Sequence, residues 1–263
     1  MLFSKLFLPG QILAFWSVWS WYLSRMLDGS DEPWGILALL TVILLVFKKG
    51  MWKTPSTITL VISSAIAIIY IISYGYFPPL IRGILAVIAL GFSISSICYS
   101  KTMQTGVIGL MLLSLPLIAS LQFYGGFPIR VITAFVSSHL LGLVGYNVQP
   151  QGTLLYWLGE VIAVDAPCAG IKMLWAGLYL NFTLATWHQL SFITTWLSTS
   201  FTLFSVFIGN ICRATLLFFT ESGIVHAPEI AHQAIGMLVF AFVVIAVLSF
   251  HHLNQESKLC SMY

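Results

Sequence analysis

Apolar runs long enough to cross a lipid bilayer follow one another through this chain, separated by short polar breaks. A spanning helix needs about 20 predominantly apolar residues. Apolar segments lie at 6–24, 34–47, 57–77, 83–99, 106–124, 166–187, 191–213 and 232–250. Segment 34–47 is short, and its neighbours can extend it. Charged residues make up only 7% of the chain, against about 25% in soluble domains. The sequence therefore predicts an all-α integral membrane protein with about eight transmembrane helices.

The 263 residues leave room for a single polytopic membrane domain. We divide it into an N-terminal five-helix part (1–124), an exoplasmic or interfacial segment (125–165), a catalytic three-helix part (166–250) and a cytoplasmic tail (251–263). No small-residue cleavage site follows the first apolar run, so we expect this run to be retained as a helix. The four cysteines form no Cys-x-x-Cys pair and no zinc-ligand spacing. Neither a metal site nor a cofactor is expected.

Charged residues at the breaks predict how the helices are oriented. Cytoplasmic loops of membrane proteins carry an excess of Lys and Arg. With a cytoplasmic N-terminus, the residues that fall inside are Lys5, Lys48, Lys49, Lys53, Lys101 and Lys258. Those that fall outside are Asp28, Asp31, Glu32, Glu160, Asp165, Glu221 and Glu229. This sorting favours an even number of spans with both termini in the cytoplasm. The net charge of +3 and the lack of a basic stripe argue against a nucleic-acid partner.

The long connection between the fifth and sixth predicted helices contains structure of its own. Its apolar run at 131–144 has small and polar interruptions, which predicts an interfacial helix on the outer leaflet. Residues 146–152 are typical of a turn, and 153–156 and 160–164 are typical of two short strands. We therefore expect a short exoplasmic hairpin that leads directly into Asp165-Ala-Pro-Cys168.

Three residues at predicted helix ends are the candidate catalytic groups, because ionisable side chains in a membrane are costly and usually functional. Cys168 follows Pro167 at the start of the sixth helix, where the helix dipole favours a thiolate. Arg213 ends the seventh helix. His232 begins the eighth, and imidazole suits proton transfer near neutral pH. The predicted orientation places all three at the outer face, on neighbouring helices. Such a site lets a thiolate attack an acyl group while the arginine stabilises the oxyanion.

Four further residues are candidate supporting or substrate-binding groups. Gly170 leaves the backbone open near the thiol. Lys172, four residues after the cysteine, shares its helix face and favours the thiolate. Asn210 precedes the arginine by one turn and can orient it. Arg130 opens the long connection and is a candidate recognition group, with contact to lipid headgroups as its alternative.

Each catalytic candidate also has a purely structural interpretation. Cys168 can be a small apolar residue at a helix end. Arg213 can extend to the outer headgroups, and His232 can be an interfacial histidine in contact with water. His226, in the preceding loop, is a second candidate for the same role. A metalloprotease and a serine hydrolase are disfavoured, since no His-Glu-x-x-His and no Gly-x-Ser-x-Gly occurs.

Three sequence blocks around these residues resemble the exosortase/archaeosortase family. They are, in chain order, Pro167-Cys-Ala-Gly170, Asn210-Ile-Cys-Arg213 and His232-Gln-Ala-Ile-Gly236. The resemblance covers roughly residues 126–240. Ala169 stands where many members have serine, and Lys172 where many have arginine.

The resemblance implies a cysteine transpeptidase or protease that removes C-terminal sorting tails from exported proteins. Such a tail has a short motif, often beginning Pro-Glu-Pro, followed by a spanning helix and a basic end. Cys168, Arg213 and His232 would be the catalytic residues, at the outer face of a prokaryotic inner membrane. The expected partners are tailed exported proteins and the bilayer. The alternatives are a transporter, whose polar groups would lie near the midplane, and a non-catalytic chaperone or assembly subunit for tailed proteins.

Overall fold

The computed structural model describes residues 2–27, 33–50, 52–165, 169–226, 228 and 230–260, with side chains from residue 6 to residue 255. Helices dominate this part of the chain. They are α1 (Leu2–Ala14), α2 (Trp16–Leu27), α3 (Trp34–Lys49), α4 (Thr57–Ile72), α5 (Pro79–Tyr99), α6 (Thr105–Leu113), α7 (Ile118–Leu143), α8 (Ile171–Trp187), α9 (Phe192–Glu221) and α10 (Ile230–Cys260). A short 3-10 helix, Ser73–Gly75, extends α4.

Five of the described helical segments are long and apolar enough to cross a membrane: Thr57–Gly75, Pro79–Tyr99, Ile118–Leu143, Phe192–Glu221 and Ile230–Gln255. The protein is therefore a multi-span membrane protein, as the sequence predicts. The predicted number of about eight spans is not confirmed. The first predicted span is divided at Phe15 into α1 and α2, and α3 and α8 contain 16 and 17 described residues.

The predicted fifth span, 106–124, is wrong because the helix is broken within it. Helix α6 ends at Leu113 and α7 begins at Ile118. Pro116 lies in the break. Proline donates no backbone hydrogen bond and disfavours a helical conformation of the residue before it, so a continuous helix across this position is costly.

The prediction of a surface helix at 131–144 is also wrong, because residues up to Leu143 belong to the 26-residue helix α7. The polar residues that suggested an interfacial helix are satisfied within the protein. The Ser137 hydroxyl donates to the Ile211 carbonyl of α9 at 3.4 Å, and Ser138 donates to the Phe135 carbonyl at 2.7 Å. Arg130 lies inside this helix rather than at the opening of a loop.

The described residues form two compact units, Met1–Leu117 with Asn181–Leu197, and Ile118–Leu180 with Ser198–Tyr263. In the first unit α5 packs against α4 and α6. Several breaks predicted to be cytoplasmic lie together in this unit. The Lys48 ammonium lies 3.3 Å from the centroid of a Trp187 ring, and Lys101 Nζ donates to the Gln189 carbonyl at 2.9 Å. Their placement on the cytoplasmic side stays a prediction.

In the second unit, α8, α9 and α10 pack against one another, as predicted. Small residues allow this close approach, which is common between helices in membranes. Gly177 of α8 faces Val206 and Thr202 of α9 as well as Val243 of α10. Gly209 of α9 faces Met173, Val239 and Val243.

A three-stranded antiparallel sheet connects α7 to α8. Its strands are β1 (Gln149–Gln151), β2 (Leu154–Trp157) and β3 (Glu160–Ala163), in the order β1-β2-β3. Strands β2 and β3 lie within one residue of the two predicted strands. Leu158 and Gly159 join them with φ values of 49° and 90°, as in a two-residue hairpin turn. The predicted turn at 146–152 is partly wrong, because Gln149–Gln151 pairs with β2.

One face of this sheet is buried against α7 and α9. The buried core contains Ala134, Leu141, Val148, Leu155, Ile162, Val164, Leu217 and Phe218. Leu155 and Ile162 are register partners on neighbouring strands, so they point to the same face of the sheet. This packing holds the sheet beside the C-terminal part of α9. Its predicted exoplasmic location stays a prediction.

Candidate functional site

Arg213 and His232, from two separate sequence blocks, meet in the second unit. Nη2 of Arg213 on α9 lies 3.4 Å from Nε2 of His232 on α10. Gly236 is one turn after His232, on the same face of α10. A Cβ atom at Gly236 would lie 3.3 Å from Nε of Arg213. The His-x-x-x-Gly spacing therefore has a geometric basis: the histidine contacts the guanidinium, and the glycine leaves room for it.

The other ring nitrogen of His232 faces a carboxylate. Nδ1 lies 3.3 Å from Oε1 of Glu221, at the end of α9. A guanidinium only donates hydrogen bonds and a carboxylate only accepts them. The two contacts match the tautomer that carries its proton on Nδ1 and accepts a hydrogen bond at Nε2. Both distances are long for hydrogen bonds, which is common at catalytic sites before substrate binds.

Asn210 connects the start of α8 with α7. Its side chain is buried, and Nδ2 donates to the Thr133 hydroxyl at 3.2 Å. On its other side lies Gly170, whose φ is +72°. A Cβ atom at that position would lie 2.7 Å from Oδ1 of Asn210. Glycine is required there both by the left-handed backbone and by the approach of the amide.

Cys168, the predicted nucleophile, lies outside the described residues, as does Pro167. The chain is described again from Ala169, the residue bonded to Cys168. Ala169 and Gly170 are both buried. The described end of the first sequence block therefore lies beside Asn210, one turn before Arg213 on α9.

Two further predicted supporting residues, Lys172 and Arg130, lie on α8 and α7. Lys172 is exposed near the start of α8. Arg130 is partly buried on α7, where Nε donates to the Gly126 carbonyl one turn earlier at 3.3 Å. His226, the alternative histidine, is exposed in the loop before α10. Of the two histidines, His232 is the one that contacts Arg213.

Two residues of the site, Glu221 and Thr133, are not among the predicted site residues. Glu221 was assigned only as an outer carboxylate, and Thr133 was placed within a surface helix. The distance of Glu221 from His232 along the chain, 11 residues, matches no local helical spacing. No sequence signal therefore pairs them. Thr133 is completely buried and lies 77 residues before Asn210.

A groove of about 260 Å³ lies beside His232, between the sheet and the helices. We call it the β3 groove. Its residues come from the second unit: Leu155, Val161, Ile162, Ala163, Val164, Asp165, Ala214, Leu217, Phe218, Glu221 and His232. The Glu221–His232 pair forms part of its wall. Within the described ranges, no three His, Cys, Asp or Glu residues are grouped to hold a metal ion.

Comparison with known proteins gives one family. A family model described as "Transmembrane exosortase (Exosortase_EpsH)" matches residues 6–249. The match extends well upstream of the three sequence blocks, into the first unit. Neither the comparison with curated proteins nor that with solved structures gives a match.

Proposed function

Since this chain belongs to the transmembrane exosortase family, we propose that it is a membrane cysteine transpeptidase or protease that removes C-terminal sorting tails from exported proteins. The tail would consist of a short motif, often beginning Pro-Glu-Pro, a spanning helix and a basic end. Its helix would enter laterally from the bilayer, and the motif would reach the site at the outer face of the inner membrane.

Cys168 is the proposed nucleophile. Its thiol proton passes to His232, and the thiolate attacks the carbonyl carbon of the scissile peptide bond. The carbon–nitrogen bond then breaks, and the nitrogen of the leaving tail takes a proton from His232. The product is a thioester between the exported protein and Cys168. Attack by water or by an acceptor amine releases the protein as an acid or an amide and restores the thiol.

Arg213 and Glu221 have different proposed roles. The guanidinium of Arg213 stabilises the negative charge that develops on the carbonyl oxygen during attack. Glu221 is a positioning residue, because its carboxylate accepts a hydrogen bond from Nδ1 and so keeps Nε2 as the unprotonated nitrogen. The Nε2 lone pair becomes available to the thiol when the Arg213 guanidinium moves from it to the carbonyl oxygen of the substrate. Asn210 positions the start of α8, through its contact with Gly170, relative to the turn of α9 that carries Arg213.

The observation that supports this proposal most strongly is the contact between Arg213 and His232. They come from separate blocks on two helices, yet the structure places Nη2 and Nε2 3.4 Å apart. If Arg213 only contacted lipid headgroups and His232 only lay at the membrane interface, the two side chains would not need to contact each other. The contact between Asn210 and Gly170 brings the described end of the first block to the same part of α9.

Comparing protein C-termini in the cell envelope of wild-type and Cys168→Ala strains tests the proposal. We expect proteins that retain a motif-plus-helix tail to accumulate only in the mutant strain. Their sequences also identify the recognition motif. A Cys98→Ala strain is the matched control, because Cys98 is buried in α5 of the first unit.

If the Cys168→Ala strain processes every tail normally while the variant is stably produced, Cys168 is not the nucleophile. A non-catalytic chaperone or a transporter would then be the better interpretation. If a Cys168→Ser strain processes tails as the wild type does, that result also argues against a thiolate nucleophile.

A further inference from the structure

Strand β3 presents its edge to the groove beside His232, next to the sheet face that carries Leu155 and Ile162. Successive side chains of a strand point to opposite faces of its sheet. A groove along one face would therefore be lined by every second residue. The β3 groove is lined by the consecutive residues Val161, Ile162, Ala163, Val164 and Asp165. This continuous lining indicates that the backbone edge of β3 borders the groove.

The register of the sheet shows which backbone groups face that edge. The Val164 amide donates to the Thr153 carbonyl at 2.9 Å. Residues of an antiparallel strand alternate between those that bond the partner strand and those that do not. Val161 and Ala163 therefore direct their N–H and C=O groups away from β2. Among the described residues, the sheet ends at β3, and no further strand pairs with it.

The opposite wall of the groove belongs to the proposed catalytic site. It is formed by Ala214, Leu217, Phe218 and Glu221 of α9 and by His232 of α10. Neighbouring strands lie about 4.8 Å apart, so a segment paired with β3 would lie between this strand and the helices. The groove wall combines apolar side chains with the Glu221–His232 pair. An extended peptide would thus receive backbone hydrogen bonds on one side and the imidazole on the other.

We propose that the recognition segment of the substrate binds in this groove as an added strand, paired through its backbone with Val161 and Ala163 of β3. This inference rests on the proposed function and assigns its substrate-binding surface. Strand addition derives affinity from main-chain hydrogen bonds and specificity from alternate side chains. It also holds the scissile bond extended beside His232.

The first test uses synthetic tail peptides that begin with the proposed Pro-Glu-Pro motif and continue into an apolar segment. Each backbone N–H of the peptide is methylated in turn, and binding to purified Cys168→Ala protein in nanodiscs is measured. Only every second N–H of an added strand faces β3. Methylation should therefore weaken binding about 10-fold at alternate positions and have little effect between them. A loss without this two-residue period overturns the inference.

A second test changes the protein. Val161→Pro removes the N–H that faces the groove, and proline is tolerated at such positions of edge strands. Val161→Thr keeps this N–H with a side chain of similar shape and is the matched control. Val161→Pro should weaken peptide binding about 10-fold, and Val161→Thr should weaken it less, because its N–H is retained. Equal binding by a folded Val161→Pro protein overturns the inference.

The two proposals fail in different ways. If the wild-type protein cleaves the tail but methylation shows no two-residue period, strand addition is wrong and the proposed function stands. If the peptide binds with the two-residue period while purified wild-type protein never cleaves it, strand addition is supported and the enzymatic function is wrong.

Discussion

At the scale of single residues, the imidazole of His232 lies between groups of opposite charge. The Arg213 guanidinium faces Nε2, and the Glu221 carboxylate faces Nδ1. The first contact orients a lone pair, and the second holds the proton on the opposite nitrogen. These contacts match the tautomer with its proton on Nδ1, which is the form that the proposed transfer of the thiol proton to Nε2 requires.

Replacing Glu221 by Gln should lower kcat for tail cleavage about 10-fold, because an uncharged amide holds the Nδ1 proton less strongly than a carboxylate does. This expected loss lies at the lower end of the range for hydrogen bonds to charged groups, because 52% of the Glu221 side chain is exposed to solvent. Binding of the tail peptide should change less than kcat, because the amide keeps the size of this side chain in the groove wall. Steady-state kinetics with purified protein in nanodiscs measures both quantities.

Glu160→Gln is the matched control for this charge change. Glu160 is an exposed carboxylate on β3 outside the groove lining, and its variant should cleave at the wild-type rate. Glu221→Asp, which retains the charge, should recover part of the lost kcat. If Glu221→Gln cleaves as fast as wild type, Glu221 does not position the histidine.

At the scale of helices, glycines determine how closely α8, α9 and α10 approach. A Cβ atom at Gly209 would lie 3.0 Å from Cγ2 of Val243 and 3.2 Å from Cγ1 of Val239. Asn210, the next residue, contacts Gly170, and Arg213 one turn later contacts His232. The same part of α9 therefore packs closely against α10 at Gly209 and carries the site residues Asn210 and Arg213.

Gly209→Leu should destabilise the second unit by about 1–3 kcal/mol, because the added side chain overpacks the contact with α10. The melting temperature in detergent and the yield of folded protein measure this loss. Gly142→Leu on α7 is the matched control, since a Cβ atom there meets nothing within 4 Å. Equal stability of the two variants would contradict the role assigned to Gly209.

At the scale of the whole molecule, the orientation in the membrane decides which compartment each end of the helices faces. Charged residues predict that the 48–53 break is cytoplasmic and that the sheet is exoplasmic. A short epitope inserted after Gly152, at the turn between β1 and β2, should bind antibody on intact spheroplasts. The same epitope inserted after Thr54 should bind antibody only after lysis, and the reverse pattern would show that the orientation is wrong.

The sequence by itself was sufficient to predict a helical membrane protein and two of the strands in its sheet. Both properties depend on local patterns: apolar runs must satisfy their backbone hydrogen bonds within a helix, and short strands are bounded by turn residues such as Leu158-Gly159. The three sequence blocks were recognisable for the same reason, since each lies within five consecutive residues.

Only the tertiary structure decided which apolar run continues as one helix and which residues meet at the site. Hydropathy adds up local contributions over about 19 residues, so it joined 106–124 across Pro116 and placed Ser137 at a membrane surface. The Ser137 hydroxyl is instead satisfied by the Ile211 carbonyl, 74 residues away. The pairing of Glu221 with His232, and the position of β3 beside them, likewise depend on contacts between distant segments, which no local pattern records.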